Sequence, residues 1–191
     1  MARPKIDTEE LTSRLVAEAE RMLVETQGRR LVLSELAARV GISQSYAHRF
    51  FPTKADLLRT LAKRWFAEVE AESMRITALD LPAPERLETW ILTILRLKRD
   101  KFDENQALYL AYLDLALGHM DLVKAHTDLL TRDLASIVSG IVGKDRLADA
   151  LALVEDATLL FRTPQNIARL RERATDERAR AVVKMCLDHL T

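Results

Sequence analysis

Ser34–Leu58 reads SELAARVGISQSYAHRFFPTKADLL, two short helical patterns on either side of Val40-Gly41-Ile42-Ser43. Leu36, Ala37 and Val40 give the first pattern its apolar stripe. Gly41 ends it, because glycine alone enters the left-handed conformation at a helix C-terminus without steric cost. Ile42 is placed to drop into a core. Ser43 is placed to cap a second helix, its hydroxyl accepting from a free N–H of the first turn. That second helix spans Gln44 to Phe50 and stops at Phe51-Pro52. Two helices joined through a tight glycine corner make a helix-turn-helix, and its second helix is the one that enters the DNA major groove.

This stretch resembles the DNA-binding domain of the tetracycline-repressor (TetR) family. Gly41-Ile42-Ser43 carries the turn, and Phe51-Pro52-Thr53-Lys54-Ala55-Asp56-Leu57 matches the family's Phe-Pro/Ser-x-Lys-x-x-Leu entry into a long fourth helix. Ala19, Leu23 and Gly28 extend the likeness upstream, over about the first third of the chain. The resemblance implies an all-α protein. A three-helix helix-turn-helix domain, 1–54, is joined by the long fourth helix to a helical effector-binding and dimerisation domain, 55–191. It also implies that Gln44, Ser45 and Tyr46 read bases. His48 stands where the family usually has a phosphate-binding tyrosine, and Tyr46 where it has a small residue. Residue chemistry agrees with a reading helix: glutamine pairs with adenine edges and arginine, here Arg49, with guanine O6 and N7. Ala47 and Phe50, three apart, face inward. The family carries a capping Thr or Ser near position 31 or 32. This chain has Leu31 and Val32, so Ser34 is the expected shifted cap.

Composition agrees with an all-α chain: 48% of the 191 residues are hydrophobic, with only 5 Gly and 5 Pro. No apolar run nears the roughly 18 residues that span a bilayer. The N-terminus, MARPKIDTEE, lacks the apolar core of a signal peptide, so a cytoplasmic location is expected. The single cysteine, Cys186, leaves no intrachain disulfide and no CxxC metal motif. Net charge is zero, but residues 1–64 hold 12 Lys and Arg against 8 Asp and Glu. A basic end on an acidic body suits a DNA reader.

In chain order, Arg3 and Lys5 form either a basic arm that reaches a groove or phosphate, or a solvated tail. Asp7 and Glu10 have capping-box spacing, and Gly28 closes the first helix. Arg29 and Arg30 are substitute phosphate contacts or solvated charges. Thr53 and Asp56 open the long helix with a second box, and Lys54, in its first turn, is read as a phosphate clamp. The helix continues to about Ala78. Leu79–Pro84 is the clearest break, with Pro84 in the first turn of the next helix. Leu87, Trp90, Ile91, Ile94, Leu95 and Lys98 follow at helical spacing, and a polar patch, Arg99–Asn105, separates them from Ala107–Leu117.

ALYLAYLDLAL, 107–117, is apolar all round except Asp114, which predicts a helix buried on every side at the centre of the C-terminal domain. Asp114 then needs a partner or a ligand. With Trp90, Tyr109, Tyr112 and His126 it forms the candidate lining of a largely apolar effector pocket. A histidine on such an apolar stripe, as His126 is, is more often a satisfied core residue than a ligand contact. No second His or Cys stands at metal-ligand spacing, so neither a metal nor a cofactor is expected. Leu147–Phe161 and Arg178–Leu190 form the last two patterns. In the resembled family such helices pair with those of a second subunit, which makes Leu151, Val154, Thr158, Val182, Val183, Cys186 and Leu190 dimer-interface candidates; a larger monomeric core is the alternative.

No phosphate-cradling loop, H-E-x-x-H or G-x-S-x-G is present, and no enzyme is expected. The reading is therefore a homodimeric, DNA-binding transcriptional regulator, in this family usually a repressor. Its partners would be a near-palindromic double-stranded operator, a second copy of itself and a small-molecule effector, with no membrane. The other reading is a helical carrier or enzyme with a vestigial DNA-binding unit.

Overall fold

The computed structural model describes residues 8–26 and 31–191. The expected basic arm with Arg3 and Lys5, the Asp7 cap, Gly28 and the Arg29-Arg30 pair lie outside the described residues. Among the described residues the regular elements are all helical. They group into two compact units, Met1–Trp65 with Ala107–Met120, and Phe66–Gln106 with Asp121–Thr191.

The first unit holds α1 (Thr8–Glu25), α2 (Leu33–Val40), α3 (Gln44–Ala47), the start of α4 (Lys54–Thr77) and α6 (Gln106–Leu117). Leu11, Leu15, Ala19 and Met22 recur at helical spacing on α1, and all are buried. They close on Leu36 and Ala37 of α2, Ala47 of α3, and Leu57 and Leu61 of α4. The expected cap at Ser34 is not formed. Val32 occupies the N-cap in extended backbone with no side-chain hydrogen bond, and Ser34 lies exposed inside α2. Leu31 and Leu33, both buried, anchor the entry to α2 instead, so the helix begins ahead of the serine rather than after it.

α6 corrects a second expectation. It buries Tyr109, Ala111 and Tyr112 but leaves Leu110, Leu117 and Asp114 exposed. Its buried face joins the core of the first unit, where Trp65 stacks on Tyr112 at 4.2 Å and meets Tyr109 edge-on at 5.4 Å.

The second unit holds the rest of α4, α5 (Ala83–Glu104), α7 (Met120–Ser139), α8 (Leu147–Ala157), α9 (Leu159–Arg162), α10 (Pro164–Arg169) and α11 (Asp176–Leu190), with 3-10 turns at Lys144–Arg146 and Arg171–Arg173. Pro84 lies in the first turn of α5, as expected. Only Asn105 separates α5 from α6, and the polar 99–105 patch is helical through Glu104. Its charges are taken up by distant partners: Arg99 Nη1 donates to Asp176 Oδ1 at 2.8 Å, Lys101 pairs with Glu68 at 2.9 Å, and Arg171 Nε donates to Asp103 Oδ1 at 2.6 Å. α5 packs most extensively on α11 and α9. The 147–161 pattern is interrupted at Thr158, whose buried hydroxyl donates back to Val154 O at 2.6 Å and accepts from Arg162 Nε at 2.9 Å. No helix among the described residues is long and apolar enough to cross a membrane.

Candidate nucleic-acid interface

The corner between α2 and α3 is built by backbone chemistry. Gly41 sits at φ 79°, ψ 31°, the left-handed region. Its N–H donates to Ala38 O at 3.1 Å, and the N–H of Ile42 donates to Ala37 O at 2.9 Å. This pair of bonds is the Schellman closure of a helix end. Ser43 Oγ then accepts from the N–H of Tyr46 at 3.2 Å, so Ser43 caps α3 while its own hydroxyl proton stays free to donate to a phosphate. The α-helix proper is shorter than the expected Gln44–Phe50. It ends at Ala47 and is continued by bonds between residues three apart, from Arg49 N to Tyr46 O and Phe50 N to Ala47 O. Phe51 is buried and Pro52 follows, so the chain turns away there.

Around this turn one side is dry and the other wet. Ala47 is fully buried, and Phe50 packs against the core of the unit. Gln44, Ser45, His48 and Arg49 are exposed. Tyr46 is half-buried, edge-on to Phe50 at 5.5 Å, with the Arg49 guanidinium 5.6 Å from its ring centre. That cation–π contact holds Arg49 against the aromatic face without removing it from solvent. His48 Nδ1 lies 3.1 Å from Pro52 O, and since a carbonyl only accepts, Nδ1 carries the proton. In the neutral ring Nε2 is then an acceptor, and it lies 3.4 Å from the Gln44 amide nitrogen. The Gln44 amide therefore turns its nitrogen toward His48. One N–H and the carbonyl oxygen are left over, the donor–acceptor pair that an adenine edge takes.

Lys54 is the first residue of α4 and is exposed. The expected capping box beside it forms: Asp56 Oδ2 accepts from Thr53 N at 2.9 Å and Thr53 Oγ1 at 2.7 Å, while Asp56 N donates to Thr53 Oγ1 at 3.2 Å. Other arginines of the unit are committed to structure. Arg39 Nη1 donates to Glu25 Oε2 at 2.7 Å and Nη2 to Glu35 Oε1 at 2.9 Å, and these carboxylates, with Glu18, hold its pKa above the ordinary arginine value. Arg14 Nη2 donates to Val40 O at 3.1 Å and so serves the C-terminus of α2.

The five candidate effector residues fall in two different units. Tyr109 and Tyr112 converge on Trp65 in the first; Asp114, there too, is exposed, so the expected buried carboxylate is corrected. Trp90 and His126 lie in the second. Trp90 is fully buried and donates from Nε1 to Ser73 Oγ at 2.8 Å, which donates on to Asp133 Oδ2 at 2.6 Å. His126 stacks on Phe66 at 4.3 Å, and its Nδ1 meets Glu70 Oε1 at 2.9 Å. Burial, with the Lys98 and Lys101 charges nearby, pushes its pKa down to about 3, so the ring is neutral. Sequence reasoning set Lys98 in line with the apolar face of this helix but gave it no role; the structure buries it there, on the same unit's α5.

Of the dimer-interface candidates, Val154, Thr158, Val183, Cys186 and Leu190 are buried in their own unit, and Leu151 and Val182 are half-buried. The first five are core rather than surface: Val154, Val183, Cys186 and Leu190 join the unit's apolar cluster, where α11 packs on α5 and α8, and Thr158 is bonded to Val154 and Arg162. The exposed large apolar side chains of this region are Leu153, Leu159 and Met185. Residues Arg146, Asp149, Ala150, Leu153, His189 and Leu190 line an open pocket of about 390 Å³.

Residues 83–183 match the family model described as the tetracyclin repressor-like C-terminal domain. Comparison with curated proteins finds no match. Among solved structures the chain is similar to the TetR family transcriptional regulator PfmR from Thermus thermophilus. The identity is 19%, over 92% of this chain and 95% of that one, with a TM-score of 0.59. It is also similar to Mycobacterium smegmatis AmtR, at 16% identity over 98% of this chain and 88% of that one, with a TM-score of 0.54. At these identities the two structures speak for the fold. The family match spans more than half of the chain, beside a helix-turn-helix whose wet face carries Gln44, Ser45, His48 and Arg49. The chain belongs to the TetR family of transcriptional regulators.

Proposed function

We propose that this regulator is a homodimeric repressor that leaves its operator when a small molecule occupies the second unit. The observation that carries the reading is the exposure of Gln44, Ser45, His48 and Arg49 around the buried Ala47, braced by the Gly41 corner. Gln44 and Arg49 read base edges; Ser43 and Lys54 hold phosphates, and His48, bonded to Pro52 O and to the Gln44 amide, orients Gln44. Two such helices, one per subunit, enter successive major grooves roughly 34–36 Å apart on a near-palindromic site. The apolar side chains Leu153, Leu159 and Met185 are the surface that a second copy would cover.

Release requires the effector to bind the non-operator conformer more tightly than the operator-competent one. A tenfold loss of DNA affinity needs a difference of about 1.4 kcal/mol. Selection of oligonucleotides from a random pool, followed by gel shift at several salt concentrations, tests the reading. A recovered near-palindrome is the expected result. Arg49→Ala should then weaken it, and Gln44→Ala should relax preference at one base pair. Uniform, sequence-blind binding, or affinity unchanged in both variants, would remove these residues from the reading role.

A further inference from the structure

Lys98 lies on α5 in line with Ile91, Ile94 and Leu95 and is only 8% exposed. An ammonium carries three N–H donors. The structure gives Lys98 Nζ one acceptor, the carbonyl of Arg162 at the end of α9, at 2.6 Å. The charges around it are otherwise matched. Lys101 pairs with Glu68 at 2.9 Å. Arg162 donates to Thr158 Oγ1 and Glu155 O and is supported by the Glu155 and Asp156 charges. Neutral His126 is bonded to Glu70. No carboxylate among the described residues pairs with Lys98.

We propose that the second unit binds a small monocarboxylate with an apolar body, and that Lys98 is the residue that pairs with its carboxylate. The inference rests on the reading of that unit as the effector-binding one. A buried ammonium without a counter-ion is costly, and a ligand carboxylate offsets that cost through a charge-assisted hydrogen bond. One unmatched positive charge fits one negative charge; a phosphate monoester, with about −1.5 to −2 at neutral pH, would leave charge unpaired. Ile94, Leu95 and Phe102, buried at helical spacing around Lys98, make its surroundings hydrocarbon, which favours a carboxylate carried on an apolar body. Burial, with the Arg162 and Lys101 charges nearby, pushes Lys98 down to about 7, so a ligand carboxylate meets a group able to take up a proton at neutral pH.

The test is thermal unfolding of the full-length protein near neutral pH with sodium benzoate or sodium hexanoate up to tens of millimolar, against benzamide and hexanamide. At least one acid should raise Tm by about 3 °C or more, and the amides by under about 1 °C. Lys98→Met should keep the helical circular dichroism and lose the response; Lys98→Gln takes its place if the methionine variant does not fold. Acid and amide acting alike, neither acid acting, inorganic phosphate acting in their place, or a full response in the Lys98 variants would each overturn the proposal. The readout contains no DNA. Failure here with selective operator binding intact therefore strikes the ligand assignment alone, while loss of operator selectivity with a Lys98-dependent acid response strikes the repressor reading alone.

Discussion

The hydroxyl of Tyr112 on α6 donates to Glu20 Oε1 on α1 at 2.8 Å, while its ring stacks on Trp65 of α4. One side chain thus ties α6, which follows α4 by almost thirty residues, to the two helices that frame the DNA-reading unit. Burial, with the Glu20 charge beside it, holds the phenol well above its ordinary pKa, so it stays a donor. Tyr112→Phe keeps the stack and removes the donor, and should cost about 1 kcal/mol in urea unfolding. Tyr112→Ala also opens a cavity at a position only 3% exposed and should cost about 3–5 kcal/mol. Equal losses in the two variants would show that packing contributes nothing beyond the hydrogen bond.

Gly41 makes a cleaner test of backbone strain. A Cβ added there meets nothing within 4 Å, so no crowding enters. The left-handed φ of 79° alone sets the penalty, about 1–2 kcal/mol for Gly41→Ala. Gly41→Asn should cost less, because asparagine tolerates this region, and Gly41→Val more. Denaturant midpoints of the three variants check the order; an alanine variant as stable as the parent would remove the glycine argument.

His48 and Lys54 should separate base reading from phosphate holding. His48→Ala deletes the acceptor that orients the Gln44 amide, so selectivity should relax most at the base pair Gln44 reads. Lys54→Ala should weaken all sites alike and lower the slope of log K against log salt by about 1. Competition binding against single-substituted operators distinguishes the two, and a uniform loss in the His48 variant would assign it to the backbone only.

What was legible in the sequence was local chemistry. Gly41 at a helix end, Ser43 at a cap, the Thr53–Asp56 box and Pro84 in a first turn each act within a few residues, and each stands where the pattern put it. The misreadings depend on partners far away in the chain. Arg99–Asn105 read as a separator of two helices, yet most of it is helix, its charges met by Asp176 and Arg171 from 77 and 68 residues on. The all-apolar 107–117 stretch read as buried on every side, yet its hydropathy could not say which unit it joins or which face it leaves open. Thr158 interrupts the 147–161 pattern because its hydroxyl is bonded to both Val154 and Arg162, an arrangement invisible to periodicity. The exposed face of Gln44, Ser45, His48 and Arg49 was legible; the Gln44–His48–Pro52 chain was not.

Lys98 and His126 should leave separate marks on stability against pH. Lys98 falls from its ordinary 10.5 to about 7 in the folded chain. Between those values the unfolded chain holds a proton that the folded chain has released, so stability rises with pH, at up to about 1.4 kcal/mol per unit. His126 falls from 6.5 to about 3. Across that lower window the unfolded chain again holds the extra proton, so stability is lost as pH drops from 6.5 toward 3. Urea unfolding across the pH range, taken as parent minus variant, isolates each group from the other titrating residues. Lys98→Met should remove the rise between about pH 7 and 10 and, by taking away one of the charges that depress His126, soften the acid-side loss without abolishing it. His126→Gln, which can still donate to Glu70, should flatten the acid side alone. A parent-minus-Lys98→Met difference that stays level across the alkaline window would mean the ammonium keeps its ordinary pKa, and with it water or an anion the structure does not place beside it.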